Sequence, residues 1–383
     1  VADLPEPTPI PACFRDAVRR LLRGIRTPAP AGCGELDAML QSAEEHGIEP
    51  LLYRALDVAA WPAPVVARWR HAALRAAALE PFRLRDLQEL LAAFDAAGID
   101  ALVLKGSALA YSLYPEPQLR PRGDTDLLIR RDDRARVDAL LRERGFRART
   151  TSGDELAMRQ CTYTHVDGAG AEHAYDVHWD IANTPVFADA LRFEELRARA
   201  IPLPQIAPYA RGLSTVDALL YACIHRVAHH HDSDRIIWLV DIALLRERMS
   251  DDERTRFWQL AAERELVAVC RRSLAAAAEW LGDDPTSNDD GAAAVLTPAQ
   301  LARDEPSARY LDRDVRRGSL LAAELRALPD WRARATRLAH LAFPPRTFMR
   351  EQFGARTPLP LLYAWRALRG VGRLFARAAT RRA

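Results

Sequence analysis

Lysine is almost missing from this 383-residue chain: of 54 basic residues, only Lys105 is a lysine. With abundant alanine, that bias points to a GC-rich bacterial genome. The survivor is either a chance remnant or a position that arginine cannot fill, since the two side chains differ in shape and hydration. Cysteine is scarce as well. Cys13, Cys33, Cys161, Cys223 and Cys270 are odd in number, widely spaced and without a C-x-x-C pair. That pattern argues against a zinc ribbon or disulfide framework and predicts a reducing, cytoplasmic setting. No apolar run approaches ~18 residues, so no transmembrane helix is expected. The opening Val1-Ala2-Asp3-Leu4-Pro5 lacks the basic and apolar regions of a signal peptide. A net charge of +2 is too balanced to imply a nucleic-acid partner through bulk electrostatics.

What is present is ordinary globular composition, 49% hydrophobic and 28% charged, which excludes a disordered or collagen-like chain. The length predicts two or three domains. Residues 1–34 are rich in Pro and Gly around a short helical stretch, Phe14 to Leu22. Helical spacing from Glu35 to Leu79 breaks at His46-Gly47-Ile48-Glu49-Pro50. Leu84, Leu87, Leu90, Leu91 and Phe94 then form one face of a longer helix, with Gly98 just past its end. The period changes after that. Ile99 to Leu104 and Asp124 to Ile129 predict strands, separated by a helix over Ser107 to Tyr114 and a turn rich in Pro and Arg. A helix over Asp133 to Gly145 follows. Strands over Gln160 to Val166 and Ala174 to Ile181 flank the hairpin signal Asp167-Gly168-Ala169-Gly170. Helices are expected over Val216 to Ala228, Arg235 to Met249 and Glu253 to Leu281. The expected fold class is α+β, a small mixed sheet flanked by N- and C-terminal helical regions. The expected units are 1–83 (helical), 84–205 (sheet-containing), 209–282 (helical), a linker at 283–291, and an Arg-rich helical region at 292–383.

The chemistry gathers around Asp124 and Asp126. Two apart on a strand, they point to one face. Paired carboxylates are costly to bury unless a cation neutralises them, and hard oxygen ligands favour Mg²⁺ or Mn²⁺. The plainer reading is a solvated strand-start pair. Upstream, a strand ends in Lys105-Gly106-Ser107 where a helix begins. Glycine lets a ligand approach the backbone, and a helix N-terminus offers free N–H groups to phosphate. Ser107 could equally be only an N-cap. Downstream, alternation puts Asp176, His178 and Asp180 on one face, so a third carboxylate can join the pair if the strands are neighbours.

This succession of strand, Gly-Ser, helix, D-x-D and a later strand aspartate resembles the DNA-polymerase-β-like nucleotidyltransferase superfamily. More narrowly, it is similar to a bacterial branch described as uncharacterised nucleotidyltransferases. The stretches that carry the resemblance are His46 to Tyr53, Ala97 to Gly106, Arg120 to Leu128, Asp176 to Trp179, and a helical stretch from His225 through Trp238 to Ile242. It covers about residues 35–285. Thr125 departs from the pattern, which usually has an apolar residue there. The resemblance implies that the sheet region is a nucleotidyltransferase palm. It implies that Asp124, Asp126 and Asp176 hold two Mg²⁺ (or Mn²⁺) ions and are catalytic, with Asp176 also helping to activate an acceptor hydroxyl. It implies that an NMP passes from an NTP to an acceptor with release of pyrophosphate. Gly106 and Ser107 would cradle the phosphates, and Lys105, Arg120 and Arg122 would supply positive charge. The acceptor is left open: a small molecule, a peptide, a sugar product, a protein side chain or an RNA end.

His225, His229, His230 and His231 invite a metal reading, but no H-E-x-x-H pattern completes it. A polar helix end is the plainer account, with His178 and His225 as possible contacts to nucleotide or acceptor. Asp241 reads as an intrahelical or interdomain partner. In residues 361–377, Leu361, Trp365, Leu368 and Phe375 fall on one side of a helix and Arg366, Arg369, Arg373 and Arg377 roughly opposite. That fits a membrane surface or a partner, or simple packing on the chain's own domain. Two rivals to the transferase stand: a catalytically silent nucleotide-binding or scaffold protein on the same fold, and nucleic-acid binding through the arginine stripe.

Overall fold

The computed structural model describes residues 6–149, 159–168, 170–281, 291–312, 315, 317–328, 330–343, 346, 349–350 and 357–366. Nearly all of the expected 283–291 linker lies outside the described residues. So do Arg369, Arg373 and Arg377 of the expected basic stripe. Leu361 and Trp365, on its apolar side, are exposed.

The fold is α+β. Helices α1 (Arg15–Leu22), α2 (Leu36–His46), α3 (Glu49–Ala55) and the long α4 (Ala63–Ala96) precede the sheet. Then come β1 (Ala101–Leu104), α5 (Lys105–Ser112), β2 (Thr125–Ile129), α6 (Arg134–Glu143), β3 (Arg147–Arg149), β4 (Gln160–Val166) and β5 (Glu172–His178). Helices α7 (Pro185–Ala188) and α8 (Phe193–Ala198) lead to the two-residue strands β6 (Ile201–Pro202) and β7 (Arg211–Gly212). A helical layer follows: α9 (Thr215–Ala228), α10 (Ile236–Arg248), α11 (Asp251–Glu263) and α12 (Val267–Leu281). Short helical segments occupy the described part of the remainder.

The sheet order is β3-β4-β5-β2-β1-β7-β6. β2 runs antiparallel to β1 and parallel to β5. Alternation divides the sheet between two cores. Val103, Leu127, Ile129, Tyr175 and Val177 pack with Leu87, Leu90, Leu91 and Phe94 of α4 and with Val137 and Leu141 of α6. Leu102, Leu104 and Leu128 face the other way, into the core shared with α9, α10 and α12. α4 serves both cores. Val65 and Trp69 near its start sit in the second, and its C-terminal half sits in the first. The helix runs unbroken across positions 83 and 84 and through Pro81, and Gly98 (φ +64°) follows its end as expected.

Three expectations are corrected. The stretch 253–281 is two helices rather than one, broken where Glu265 takes a left-handed backbone (φ 57°). Cys13 and Cys33 form a disulfide, joining a helix start to a loop 20 residues on. Among the cysteines, only Cys161, Cys223 and Cys270 are free. β5 ends at His178. Asp180 therefore leaves the strand's face and pairs with Arg131 and Arg159 instead.

Candidate active site

Strand register assembles the acidic centre. Asp126 on β2 lies beside Asp176 on the parallel β5, and Leu104 at the end of β1 lies beside Asp126. Both carboxylates project from the face opposite Leu127 and Val177, toward α9 and α10. Thr162 on β4 is the cross-strand neighbour of Asp176 and donates its hydroxyl to Oδ1 at 2.5 Å; Gln160 donates to Oδ2 at 3.1 Å. His178, one alternation further on, places Nε2 2.8 Å from Asp126 Oδ1. Among the described residues, Asp126, Asp176 and His178 are the group whose ligand atoms converge, all within 4.8 Å of one another. The histidines at 225–231 do not converge in that way.

Lys105 closes the centre. The chain leaves β1 through a left-handed backbone at Lys105 (φ 46°), rare for a non-glycine residue, and enters α5 at once. The turn brings Nζ to 2.7 Å from Asp126 Oδ1 and 5.8 Å from the centroid of the Tyr221 ring. Burial opposes both charges, but each stabilises the other more strongly. The Asp126 carboxylate holds Lys105 above its ordinary range, and Lys105 with His178 holds Asp126 below the carboxylate range.

Asp124 precedes β2 and keeps solvent contact through the cleft. Though exposed at the cleft, it is flanked by protein that removes part of its hydration. That desolvation, with repulsion from Asp126 and Asp176, pushes its carboxyl up to about 7. Asp124 is not among the groups whose ligand atoms converge; Asp126 and Asp176, with Asp124 near enough to repel them, suit hard divalent cations. Mg²⁺ commonly takes one or two carboxylates and completes its shell with water and substrate phosphates. The donor set fits such an ion.

The residues expected at the phosphates are all close by. Gly106 and Ser107 lie in the first turn of α5, both buried. Ser107 is not the N-cap: Leu104 is, with no side-chain bond. The Ser107 hydroxyl pairs instead with Thr125 Oγ1 at 3.0 Å and accepts from Arg122 Nε at 3.1 Å. Arg122 also pairs with Glu80 of α4. Arg120 is buried and forks onto Asp241 of α10, donating from Nε at 2.9 Å to Oδ1 and from a terminal nitrogen at 2.7 Å to Oδ2. Tyr114 donates to the same carboxylate at 2.8 Å. Asp241, expected as an intrahelical or interdomain partner, is not intrahelical: from α10 it holds the loop before β2. The two loop arginines are tied to α4 and α10, fixing the loop before β2 between them.

A cleft of about 1030 Å³ opens over this centre. One wall is α4, with Arg68, Arg75 and Arg83. The other is α9–α10, with Tyr221, His225, His230, Arg235 and Trp238. His225 stacks on His229 at 5.3 Å and meets Trp238 edge-on at 5.4 Å; His230 lies 4.3 Å from Trp238. Burial, then the Lys105 charge, keeps His225 and His229 well below their ordinary range and lowers His230 to about 4, so the rings of this wall are uncharged, with the Arg235 guanidinium over Trp238 as a cation beside them. Sequence reasoning did not single out Gln160, Thr162, Tyr221, Arg75 or Arg83. The first two were recoverable only from the pairing of β4 with β5.

A family model described as "uncharacterised nucleotidyltransferase" matches residues 33–282, which takes in the sheet, the cleft and α9 to α12. No curated protein matches the chain.

Proposed function

Since the chain belongs to that nucleotidyltransferase family and is a transferase, we propose that it moves an NMP from an NTP to an acceptor at the Asp124–Asp126–Asp176 centre. The register that sets Asp126 beside Asp176 at the floor of the cleft is the observation that carries this reading. The architecture is read as a polymerase-β-like palm in a bacterial enzyme.

Asp124, Asp126 and Asp176 would hold Mg²⁺ or Mn²⁺. When bound, these ions would offset the charge of the triphosphate during in-line displacement at the α-phosphorus, with pyrophosphate leaving. Asp176 is oriented by Thr162 and Gln160, which leaves it fit to accept the proton of the acceptor nucleophile. Lys105 and His178 keep Asp126 ionised and fix its rotamer. Backbone N–H groups at the start of α5, around Gly106, face an anion with the positive end of the helix. Arg120 and Arg122 serve by holding the loop that carries Asp124. The neutral ring wall of Tyr221, His225 and Trp238 suits a nucleobase.

The test is incubation with each α-labelled NTP, Mg²⁺ and a cell extract, with the Asp126→Asn variant alongside. Label should appear in a product with wild type and not with the variant. No label from any NTP, together with no stabilisation of wild type by Mg²⁺–NTP, would sink the proposal.

A further inference from the structure

α4 carries two cations on the cleft wall, Arg75 and Arg83, that form no ion pair among the described residues. Between the two cores it serves, the middle of the helix turns one face to the cleft. Arg68 on that face is held by Glu44, with Glu49 3.9 Å away. Arg75 and Arg83 have no hydrogen bond and no ion pair among the described residues. Arg83 is half-buried, and burial together with the nearby Arg122 charge lowers its pKa. Arg83 feels the charges of Glu80 and Asp124 but pairs with neither, and Arg75 is exposed on the cleft wall, so both can donate to an anion held in the cleft.

Position says which anion. Arg83 and Asp124 line the same cleft. Arg75 stands eight residues back, about 12 Å along the same helix face. Only Ala76 and Leu79 line the cleft between them. The opposite wall carries the uncharged rings of Tyr221, His225 and Trp238, which suit the nucleotide's base, and one cation, Arg235, stacked over Trp238. The cleft, at about 1030 Å³, is at the upper end of ligand-pocket sizes and leaves room for a second molecule. Building on the nucleotidyl-transfer reading, we infer that the acceptor is an acid whose carboxylate or phosphate is bound by Arg75 and Arg83 of α4, with its nucleophile directed at Asp176. Arg75 and Arg83 set acceptor specificity and do not take part in the chemistry.

Metal-free protein is titrated with inorganic phosphate and, separately, with succinate, and binding is read by the melting shift. The proteins are wild type, Arg75→Gln, Arg83→Gln and, as a control, Arg70→Gln, an exposed α4 residue that does not line the cleft. At least one anion should stabilise wild type and Arg70→Gln alike, and bind about tenfold more weakly to each of the other two. Which anion does so assigns the acceptor's group as phosphate or carboxylate. Shifts that are absent in wild type, or equal in all four proteins, overturn the inference. The Mg²⁺–NTP shift is measured on the same samples. If it too depends on Arg75 and Arg83, these residues hold the triphosphate and the inference fails. If it is missing from every protein while the anion shift persists, the anion site stands and the nucleotidyl-transfer reading falls.

Discussion

The ammonium of Lys105 lies 2.7 Å from Oδ1 of Asp126, delivered there by a residue with a left-handed backbone at the junction of β1 and α5. Such a conformation costs a non-glycine residue of order 1 kcal/mol or more and persists where the surrounding structure imposes it. Here it aims the chain's only lysine at a buried carboxylate, under the ring of Tyr221. A planar guanidinium is wider than an ammonium and cannot take that place without displacing Tyr221 or His178. Lys105→Arg should therefore lower catalytic efficiency at least tenfold, about 1.4 kcal/mol of transition-state stabilisation, although the charge is kept. Steady-state kinetics and a melting curve on the same samples check it. If the variant equals wild type in both, the lysine survived by chance.

Asp124→Asn should abolish transfer while raising the melting temperature of the metal-free protein. The carboxyl is disfavoured as an anion by lost hydration and by Asp126 and Asp176, so an uncharged isostere relieves the fold. Mg²⁺ with NTP should stabilise wild type and do so much less for the variant. Thermal shift with and without the ligands decides. Equal ligand-induced shifts in the two proteins would remove Asp124 from the metal site.

The pairing of Asp126 with Asp176 was legible because both obey the two-residue period of a strand, and a sheet that pairs β2 with β5 turns that period into proximity, while Asp124 precedes the strand. The period stops helping where strands stop. Asp180 keeps the parity of Asp176 and His178, yet it lies beyond β5 and turns to Arg131 and Arg159. β6 and β7, two residues each, are too short to show any alternation, so the sheet edge at Gly212 left no mark in the sequence. The fates of the loop arginines were also hidden. Arg120 meets Asp241 across 121 positions, and Arg122 meets Glu80 across 42, contacts that only the packing of α4 and α10 around the loop creates.

Glu49 gives a pH signature outside the acidic centre. Burial, then the neighbouring Glu44 charge, pushes its carboxyl up to about 7 from an ordinary 4.5, against the pull of Arg68 and Arg75. A raised folded-state pKa contributes stability below the unfolded value and loses it as pH climbs through the folded one. The loss here falls between about 4.5 and 7 and amounts to ~3 kcal/mol. Glu49→Gln should remove that slope and leave the protein more stable than wild type above pH 7. Chemical denaturation at pH 4.5, 6 and 8 measures it, and parallel curves for the two proteins would contradict the assignment.

Removing Arg120 should act on the fold rather than on the phosphates. Its fork onto Asp241 is buried, and Arg120→Ala would strand that carboxylate with only the Tyr114 hydroxyl. Breaking a buried pair from one side costs about 3–5 kcal/mol. The variant should melt far below wild type, and its activity per folded molecule should fall less than that of Lys105→Arg. A variant with normal stability and a raised KM for NTP would return Arg120 to the phosphate site.

Asp176 separates rate from affinity. Thr162 and Gln160 occupy one lone pair on each of its oxygens and so hold the carboxylate in place. A group that accepts the nucleophile's proton matters in the transition state and little in the ground state. Asp176→Asn keeps the shape and nearly the same hydrogen-bonding reach, so it should lower kcat by at least two orders of magnitude and change KM for NTP by only a few-fold. Thr162→Val removes only the orienting hydroxyl. It should produce a smaller loss in kcat, on the order of tenfold, that the conservative Thr162→Ser largely restores. If Thr162→Ser were as impaired as Thr162→Val, the methyl group's packing would be what matters, and Thr162 would not be orienting Asp176. If Asp176→Asn turned over normally, no role in proton transfer could be kept for it. Asp180, committed to two arginines, and the exposed Glu172 would be poor replacements, and the base would have to come from the acceptor or from solvent.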